Sequence, residues 1–571
     1  MDRTEDSTPN RDRAVAEMHD AASEADRAPP PTPPEARRDE AADADATEAD
    51  VSEVLLDRGD QPDAVAQKQP GEDGQEKRAV NGAEAQSEKN GCVKVTMELE
   101  EREKFTGLNK EELLRVAGTP GWVRTRWALL VLFWLGWLGM LGGAVLLILQ
   151  APRCRERPAI HWWNGGALYH VSSVHAFTDA GDIKGVQQKV DALSQLKLKG
   201  LVIGPVHVAP PDDAMALSFQ EIAADAGSLE QFKELVRLAH RKGMYVVLDL
   251  TPNYRGSSGS WYSNASVTAV AEKLKPALIF WFGAGVDGVQ LADVEDVAAA
   301  VPSLWADIRA IVQNGTNERP TRRLLMGSTE RRSAAAVSAL LSSTGVDLLT
   351  SGVLLEGDAS ELARSVLDLY AAHSATGLAW NLGGRGAGHL ASLVGPALVP
   401  LYQLLLFTLP GTPVLQYGDE IGLMDEGTKF PRMIWDSPGG DEEEEEREQE
   451  LNATLKERRT RRARLRELVR NLSGARAKEH SLLIGDFVPL VNSSSSLAFV
   501  RSWDQNARFL AAFNWADDDA RLEYPRLGGL PPLAEVVLAT AGAPTAGARV
   551  NPADLRLGAN QAMLLKFPYG G

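Results

Sequence analysis

The sequence predicts a membrane-anchored α/β protein: a single transmembrane helix, a (β/α)₈ TIM-barrel ectodomain and a C-terminal antiparallel β-sandwich. Residues 127–149 form an apolar run without a charged side chain. Beyond it, eight strand-like segments alternate with apolar helical segments over about 270 residues, as a barrel of βα units requires. The last hundred or so residues alternate short strands and turns, which is typical of a small β-sandwich. From the pattern alone, a doubly wound open sheet remains the alternative to the barrel.

The N-terminal region is acidic. Residues 1–90 carry 24 acidic and 11 basic side chains and lack apolar periodicity. Such a segment cannot bury enough apolar surface to offset its conformational entropy, so we predict a disordered cytosolic tail. Residues 91–126 form a predicted juxtamembrane cytosolic segment in which Cys92 is an ordinary thiol. We expect no nucleic acid partner, no cofactor and no metal.

The apolar run at 127–149 is the predicted transmembrane helix. At 1.5 Å rise per residue it spans about 34 Å, enough for a hydrocarbon core of about 30 Å. It starts too far into the chain to be a cleaved signal peptide, so it serves as signal and anchor in lipid. Gly136, Gly139 and Gly143 place small residues along it, with the last two in GxxxG spacing, which lets a neighbouring helix approach closely.

Glycosylation sequons indicate the orientation of the chain. Lys and Arg on the two flanks of the apolar run do not decide it. Five Asn-x-Ser/Thr triplets follow the run and none precedes it; they begin at Asn264, Asn314, Asn452, Asn471 and Asn492. We therefore predict a single-pass type II plasma-membrane glycoprotein with a cytosolic N-terminus and an extracellular C-terminal part.

Cys154 lies five residues beyond the apolar run, in a predicted extracellular neck at 150–165. It is on the opposite side of the membrane from Cys92, so the two cannot bond each other. A single cysteine in an oxidising compartment indicates an intermolecular disulfide or a free thiol. We predict a disulfide to another membrane protein; an unpaired or acylated cysteine is the alternative.

The ectodomain is divided by composition. Residues 166–435 form the predicted barrel without a lid domain, 436–475 an acidic loop (DEEEEEREQE) and a charged helix, and 476–571 the sandwich. Predicted barrel strands lie near 167–169, 201–203, 245–250, 288–291, 324–326, 347–350, 377–381 and 413–417. Helical segments include 229–242, 267–282, 361–373 and 398–409.

Three motifs in the barrel carry a family resemblance. Residues 404–423 (LLLFTLPGTPVLQYGDEIGL) resemble the eighth-strand signature of the α-amylase family of glycoside hydrolases. Residues 249–254 (DLTPNY) and 285–293 (GVDGVQLAD) resemble its third-strand and fourth-strand motifs. The resemblance implies an α-amylase-type barrel over residues 158–571.

The same resemblance implies that catalysis is lost. The family uses a carboxylate nucleophile and a carboxylic acid that flank one glycosidic bond. The nucleophile position falls on Ala292, the arginine two residues before it on Gln290, and the acid/base position on Ser328. A third carboxylate position falls on Gly383. Asp293 follows Ala292 directly, and strand alternation would point it away from the site unless a bulge re-aims it. We therefore predict no catalytic residue and no enzyme activity.

Residues 105–145, followed by APRCRE, resemble the heavy subunits of heteromeric amino acid transporters, of the cell-surface antigen heavy chain type. The resemblance implies a non-catalytic chaperone and surface anchor. Its partner would be a multi-span L-type light chain, held through Cys154 and the transmembrane helix, that exchanges large neutral amino acids. Association with integrin β subunits also belongs to that resemblance. The alternatives are a membrane-tethered α-glucosidase and an adhesion or receptor glycoprotein.

Overall fold

The computed structural model describes residues 109–150, 154–263, 265–314, 322–435, 453–524, 530–540 and 542–570. Several sequence predictions concern residues outside these ranges, and they stay predictions: the acidic tail at 1–90, Cys92, Asn264, the acidic run at 441–450 and Asn452.

Two helices precede the barrel, α1 (Lys110–Ala117) and α2 (Pro120–Gln150). Helix α2 has 31 residues and begins seven residues before the predicted apolar run. Pro120 is its first residue, a position where the missing N–H of proline has no intrahelical partner to lose. Among the described residues, α2 is the one helix long and apolar enough to cross a membrane.

The first ten strands belong to the barrel and one hairpin. They are β1 (Leu168–Val171), β2 (Gly200–Ile203), β3 (His207–Val208), β4 (Ser218–Ile222), β5 (Tyr245–Asp249), β6 (Gly288–Ala292), β7 (Leu324–Ser328), β8 (Leu348–Thr350), β9 (Ala379–Asn381) and β10 (Thr412–Gln416). The helices between them are α3 (Val174–Phe177), α4 (Ile183–Ser194), α5 (Leu229–Arg241), α6 (Val267–Gly283), α7 (Val294–Ala300), α8 (Pro302–Gln313), α9 (Ala334–Thr344), α10 (Ala359–Ala372), α11 (Leu390–Val394) and α12 (Val399–Thr408).

The parallel sheet is a nearly closed eight-stranded barrel. Its strand order is β8-β7-β6-β5-β2-β1-β10-β9, while β3 and β4 pair separately as a hairpin. Between β8 and β9 no strand ladder is formed among the described residues. The Asn381 side chain bridges this gap, because its Oδ1 accepts a hydrogen bond from the Ser351 N–H at 3.0 Å. The predicted (β/α)₈ barrel is confirmed, and the open sheet is wrong.

Side chains on the strands alternate between two apolar layers, as the period of two predicts. Inward residues fill the barrel interior, and Trp163, which is fully buried, belongs to the same cluster. They are Leu168, Val202, Val247, Leu324, Met326, Leu348, Ala379 and Val414. Outward residues such as Val289 and Leu291 pack in the larger core that includes the surrounding helices. The interior is therefore a packed core, and only the strand ends are free to form a site.

The C-terminal part begins with a long charged helix and continues as antiparallel strands. The helices are α13 (Ala453–Lys478) and α14 (His480–Leu483). The strands are β11 (Asp486–Asn492), β12 (Ser496–Ser502), β13 (Arg508–Asn514), β14 (Ala520–Glu523), β15 (Ala534–Ala539), β16 (Arg549–Val550), β17 (Asp554–Leu557) and β18 (Ala562–Phe567). Six form one sheet in the order β11-β12-β13-β18-β15-β16, and β14 pairs with β17.

The two faces of the six-stranded sheet have different partners. On one face, Phe499 and Phe513 join the core of the barrel and its helices. On the other face, Leu510 and Leu565 join a second core that includes residues of the β14–β17 pair. The edges of the large sheet are irregular: β11 contains Pro489 next to a register shift, and β16 has only two residues.

Two buried arginines connect the barrel to the C-terminal part. Arg476 of α13 donates to the carbonyl oxygens of Phe407 at 2.7 Å and Leu409 at 2.8 Å, and to that of Gly411. Arg501 of β12 donates to the Thr408 carbonyl oxygen at 2.6 Å. These acceptors lie at the C-terminal end of α12, where carbonyls lack intrahelical donors and the helix dipole favours a cation.

Candidate functional site

A cleft of about 1070 Å³ lies at the carboxyl ends of the barrel strands. The ends of β5, β6, β7, β8 and β9 contribute to its walls through Asp249, Ala292, Ser328, Thr350 and Asn381. This is the end of a (β/α)₈ barrel at which functional groups converge. The motifs identified in the sequence therefore meet in one place.

The two positions predicted to replace a catalytic carboxyl pair lie side by side. Ala292 is the last residue of β6 and is in register with Ser328, the last residue of β7. Both are on the inward side of their strands, in alternation with the buried interior residue Met326, and both line the cleft. Neither a methyl group nor a hydroxyl on this pair can serve as the carboxylate that glycoside cleavage uses.

Gly383 follows β9 and also lines the cleft. A Cβ atom at this position would lie 2.5 Å from the carbonyl oxygen of Gly388. The loop that carries Gly388 therefore occupies the space that a side chain at position 383 would need. Adding an aspartate here requires the loop backbone to move.

The floor of the cleft holds a buried polar cluster around Asp249. Its Oδ1 accepts hydrogen bonds from the Thr251 hydroxyl at 2.6 Å and the Thr251 N–H at 2.9 Å, and its Oδ2 accepts one from Gln290 Nε2 at 3.3 Å. Burial raises the pKa of Asp249, an effect that the positive charge of Arg385 opposes. Gln290, at the predicted arginine position, therefore acts as a neutral donor to this carboxyl group.

His170 of β1 lies beside this cluster, with Nε2 at 3.9 Å from Asp249 Oδ2. Burial and, to a smaller extent, the positive charge of Arg385 together lower the pKa of His170 to about 3. The imidazole is therefore neutral near pH 7. Sequence reasoning missed this residue, although its inward position in β1 was a usable signal.

Arg385 is a second residue that sequence reasoning missed. It donates to the carbonyl oxygen of Ser172 and lies against the rings of Phe430 and Tyr254, at 5.2 and 5.6 Å from their centroids. Burial lowers its pKa, and Asp249 opposes that effect. Its place just beyond the degenerate strand-seven motif was a signal that could have identified it.

The expected orientation of Asp293 is wrong. The residue follows the end of β6 and has a left-handed backbone conformation, with φ of 46°. Strand alternation ends at Ala292, so the side chain turns back and lines the cleft instead of pointing away. Its Oδ2 accepts a hydrogen bond of 2.6 Å from the Ser260 hydroxyl.

The second candidate site is the neck that follows α2. Cys154 is exposed, and the next residue, Arg155, reaches the C-terminal sheet. Arg155 donates to Asp486 Oδ2 at 2.7 Å, and its guanidinium lies 4.7 Å from the centroid of the Trp503 ring. Farther along, Trp162 stacks on Tyr245 with ring centroids 4.3 Å apart.

The remaining predicted site residues lie on the surface of the described structure. Around Gly136, Gly139 and Gly143, no described atom outside the helix's own neighbouring residues lies within 4 Å of an added Cβ. Asn314 and Asn492 are exposed, at the end of α8 and at the end of β11. Asn471 is half-buried within α13.

Sequence comparisons match both parts of the chain. The profile described as "Solute carrier family 3 member 2 N-terminus" matches residues 93–169, and the profile "Alpha amylase, catalytic domain" matches residues 164–273. The chain is 43% identical over 540 residues to "Amino acid transporter heavy chain SLC3A2" of Oryctolagus cuniculus, covering 92% of this chain and 99% of that protein. The protein of that name from Mus musculus is 41% identical over 542 residues, with the same coverage.

Solved structures show the same fold. A point mutant of MutB, from crystals soaked with trehalulose, superposes with a TM-score of 0.54 at 16% identity, over 72% of this chain and 100% of that chain. A MutB variant in complex with Tris gives a TM-score of 0.53 at 17% identity, over 71% of this chain and 100% of that chain. At such identities the likeness concerns the fold alone. The extent of the similarity to the heavy chains decides the family: the chain belongs to the SLC3A2 family of amino acid transporter heavy chains.

Proposed function

We propose that this chain is the non-catalytic heavy subunit of a heteromeric amino acid transporter, acting as chaperone and surface anchor. Its partner is a multi-span light chain of the L-type, which exchanges large neutral amino acids at the plasma membrane. The observation that carries the proposal is the exposed thiol of Cys154 just beyond α2. A disulfide and a helix contact would together hold the two subunits.

The proposed topology is type II, with the N-terminus in the cytosol and the barrel outside the cell. Of the sequons in the described residues, Asn314 and Asn492 are exposed and lie at element ends, so they are accessible to a glycosyltransferase. Asn471 is half-buried in a helix. We therefore propose that Asn314 and Asn492 carry glycans in preference to Asn471.

The cleft supports a non-catalytic role. Ala292 and Ser328 supply no carboxyl group, and the loop at Gly388 fills the space beside Gly383. The buried carboxyl of Asp249 has a raised pKa and its oxygens already accept hydrogen bonds. A pair of carboxyl groups that flank one bond, as glycoside cleavage needs, is not formed by these positions.

The test is affinity purification of the full chain from mammalian cells in mild detergent, with mass spectrometry of the covalent partner. We expect a larger complex on non-reducing gels that collapses on reduction. Cys154→Ser should abolish it, whereas the matched control Cys92→Ser should retain it. A wild-type chain that migrates as a monomer under oxidising conditions would remove the main support for the proposal. The same purification shows whether integrin β subunits accompany the chain.

A second candidate function, a membrane-tethered α-glucosidase, is favoured by one observation. Asp293 presents a carboxylate to the cleft next to the nucleophile position. If that carboxylate replaced the missing one, the purified chain would hydrolyse maltooligosaccharides and Asp293→Asn would abolish the activity. Equal background release by wild type and variant rejects this candidate.

A further inference from the structure

The neck beyond Cys154 touches the ectodomain at two separated places. The first is Arg155, which pairs with Asp486 at 2.7 Å and covers the Trp503 ring. The second begins at Trp162 on Tyr245. Between them, residues 156–160 are exposed and without regular secondary structure.

The segment between these two places is not buried. Pro158 and Ile160 form part of the wall of an open groove of about 430 Å³, which Tyr370 and Leu483 also line. Ile160 remains 44% exposed. This stretch therefore rests beside the groove without filling it, and it does little to fix the position of the thiol.

We propose that Arg155 is a positioning residue for the interchain disulfide: its contacts with Asp486 and Trp503 hold the neighbouring Cys154 at one place on the ectodomain. The inference rests on the proposed function, because it needs a light-chain cysteine to receive the thiol. Arg155 suits the role because a guanidinium can pair with a carboxylate and lie on an aromatic ring at the same time.

The effect of the contact follows from tether length. Without Arg155, the thiol is joined to the fixed Trp162 by about eight residues, whose flexible end-to-end distance is roughly 16 Å. With Arg155 docked, Cys154 is joined to its anchor by a single peptide bond, about 3.8 Å between Cα atoms. Effective concentration falls roughly as the −3/2 power of tether length, so the upper limit of the effect is about 20-fold. An exposed ion pair is only partly formed, which lowers the expected effect to several-fold.

The disulfide itself forms by two exchange steps, with a protein disulfide of an oxidoreductase as the oxidant. The Cys154 thiolate attacks that disulfide and releases one oxidoreductase thiolate. The light-chain thiolate then attacks the Cys154 sulfur and releases the second. Two thiols are oxidised, the oxidoreductase is reduced to a dithiol, and the position of Cys154 governs the second step.

The first test needs no light chain. A methanethiosulfonate spin label is attached to Cys154 of the full-length Cys92→Ser chain in lipid nanodiscs, and its mobility is measured by electron paramagnetic resonance. Arg155→Ala should increase the mobile fraction, and Arg155→Asp with Asp486→Arg should restore the wild-type spectrum. The control is Arg521→Ala, because Arg521 and Asp554 form an ion pair at 2.6 Å with exposures of 54% and 43%, against 54% and 45% for Arg155 and Asp486. Identical spectra for wild type and Arg155→Ala overturn the inference.

The second test follows disulfide formation by pulse labelling with a co-expressed, affinity-tagged L-type light chain. Arg155→Ala should slow cross-linking several-fold while the amount of complex recovered after reduction stays equal, and the reversed pair should restore the rate. Cross-linking of Arg155→Ala at the wild-type rate overturns the positioning role and leaves the proposed function standing. A wild type that never cross-links refutes the proposed function, and the spin-label result then still decides whether Arg155 fixes the neck.

Discussion

Replacing Arg476 by methionine should lower the free energy of unfolding, because it removes the hydrogen bonds that join α13 to the end of α12. Arg476 is 1% exposed and donates to the carbonyl oxygens of Phe407, Leu409 and Gly411. Burial lowers its pKa, and the nearby charge of Arg501 lowers it further. The carbonyls at the end of α12 are thus what stabilises this cation in the interior.

The magnitude follows from what methionine leaves behind. Three carbonyl oxygens lose a charged donor in a place that water does not reach, and each such loss costs about 1–3 kcal/mol. Removing a buried charge returns part of this, since burying an ion costs several kcal/mol in real proteins. We expect a net loss of about 3 kcal/mol. If the barrel and the C-terminal part, about 400 residues, unfold cooperatively, this lowers the Tm by about 4 °C.

The assay is thermal unfolding of the purified full chain, followed by tryptophan fluorescence at one scan rate. Arg470→Met is the matched control, because Arg470 lies on the same helix with its side chain 46% exposed, paired with Glu467 at 3.3 Å. The control should change the Tm by less than about 1 °C. An equal Tm for Arg476→Met and Arg470→Met would refute the reasoning that the three carbonyls depend on Arg476.

Three further outcomes are expected. Gly288→Ala should destabilise the barrel by about 1–3 kcal/mol in the same thermal assay, since its Cβ would lie 2.7 Å from the Leu324 carbonyl oxygen. Burial lowers the pKa of His170 and His207 to about 3. Below pH 6.5 the unfolded chain therefore binds more protons, and stability is lost as the pH falls. Between pH 7.5 and pH 5, each histidine lowers the free energy of unfolding by about 2 kcal/mol. Changing both to Gln should therefore make the fall in Tm over this pH range smaller, and an unchanged fall contradicts this. Gly139→Leu with Gly143→Leu, introduced into the Cys154→Ser chain, should block close approach of a partner helix. The amount of light chain that co-purifies in mild detergent, read on a gel of the eluate, should then fall about twofold or more.

Local pattern predicted the eight barrel strands, but it left a doubly wound open sheet as an alternative. The motif resemblance favoured the barrel and supplied the positions Ala292 and Ser328, which the structure places in register. Strand alternation failed to predict the orientation of the next residue, Asp293, because its left-handed backbone ends the alternation. Aspartate is one of the few residues besides glycine that adopt this conformation, but its presence alone does not predict such a turn.

The sequence could not predict contacts between residues that are far apart in the chain. Arg155 and Asp486 are 331 positions apart, and the APRCRE motif that contains Arg155 gives no indication of its partner. Arg476 stands in a helix with many other basic side chains, so composition predicts a solvated residue there, and only the packing of α13 against the end of α12 shows that it is buried. A sequence pattern reports which face of an element is apolar; it does not report which neighbour that face meets.

The irregular edge strands of the large C-terminal sheet affect whether another copy of the protein can add a strand to it. A regular outer strand offers unpaired amide groups to which another chain can add, and dense arrays of one protein on a cell surface raise the frequency of such encounters. Proline at position 489 lacks the amide hydrogen that this addition needs, and the shifted register beside it interrupts the row of donors. At the opposite edge, β16 (Arg549–Val550) has only two residues, which is too short for another strand to pair with it. Both edges of this sheet therefore disfavour the addition of a backbone strand from a neighbouring copy.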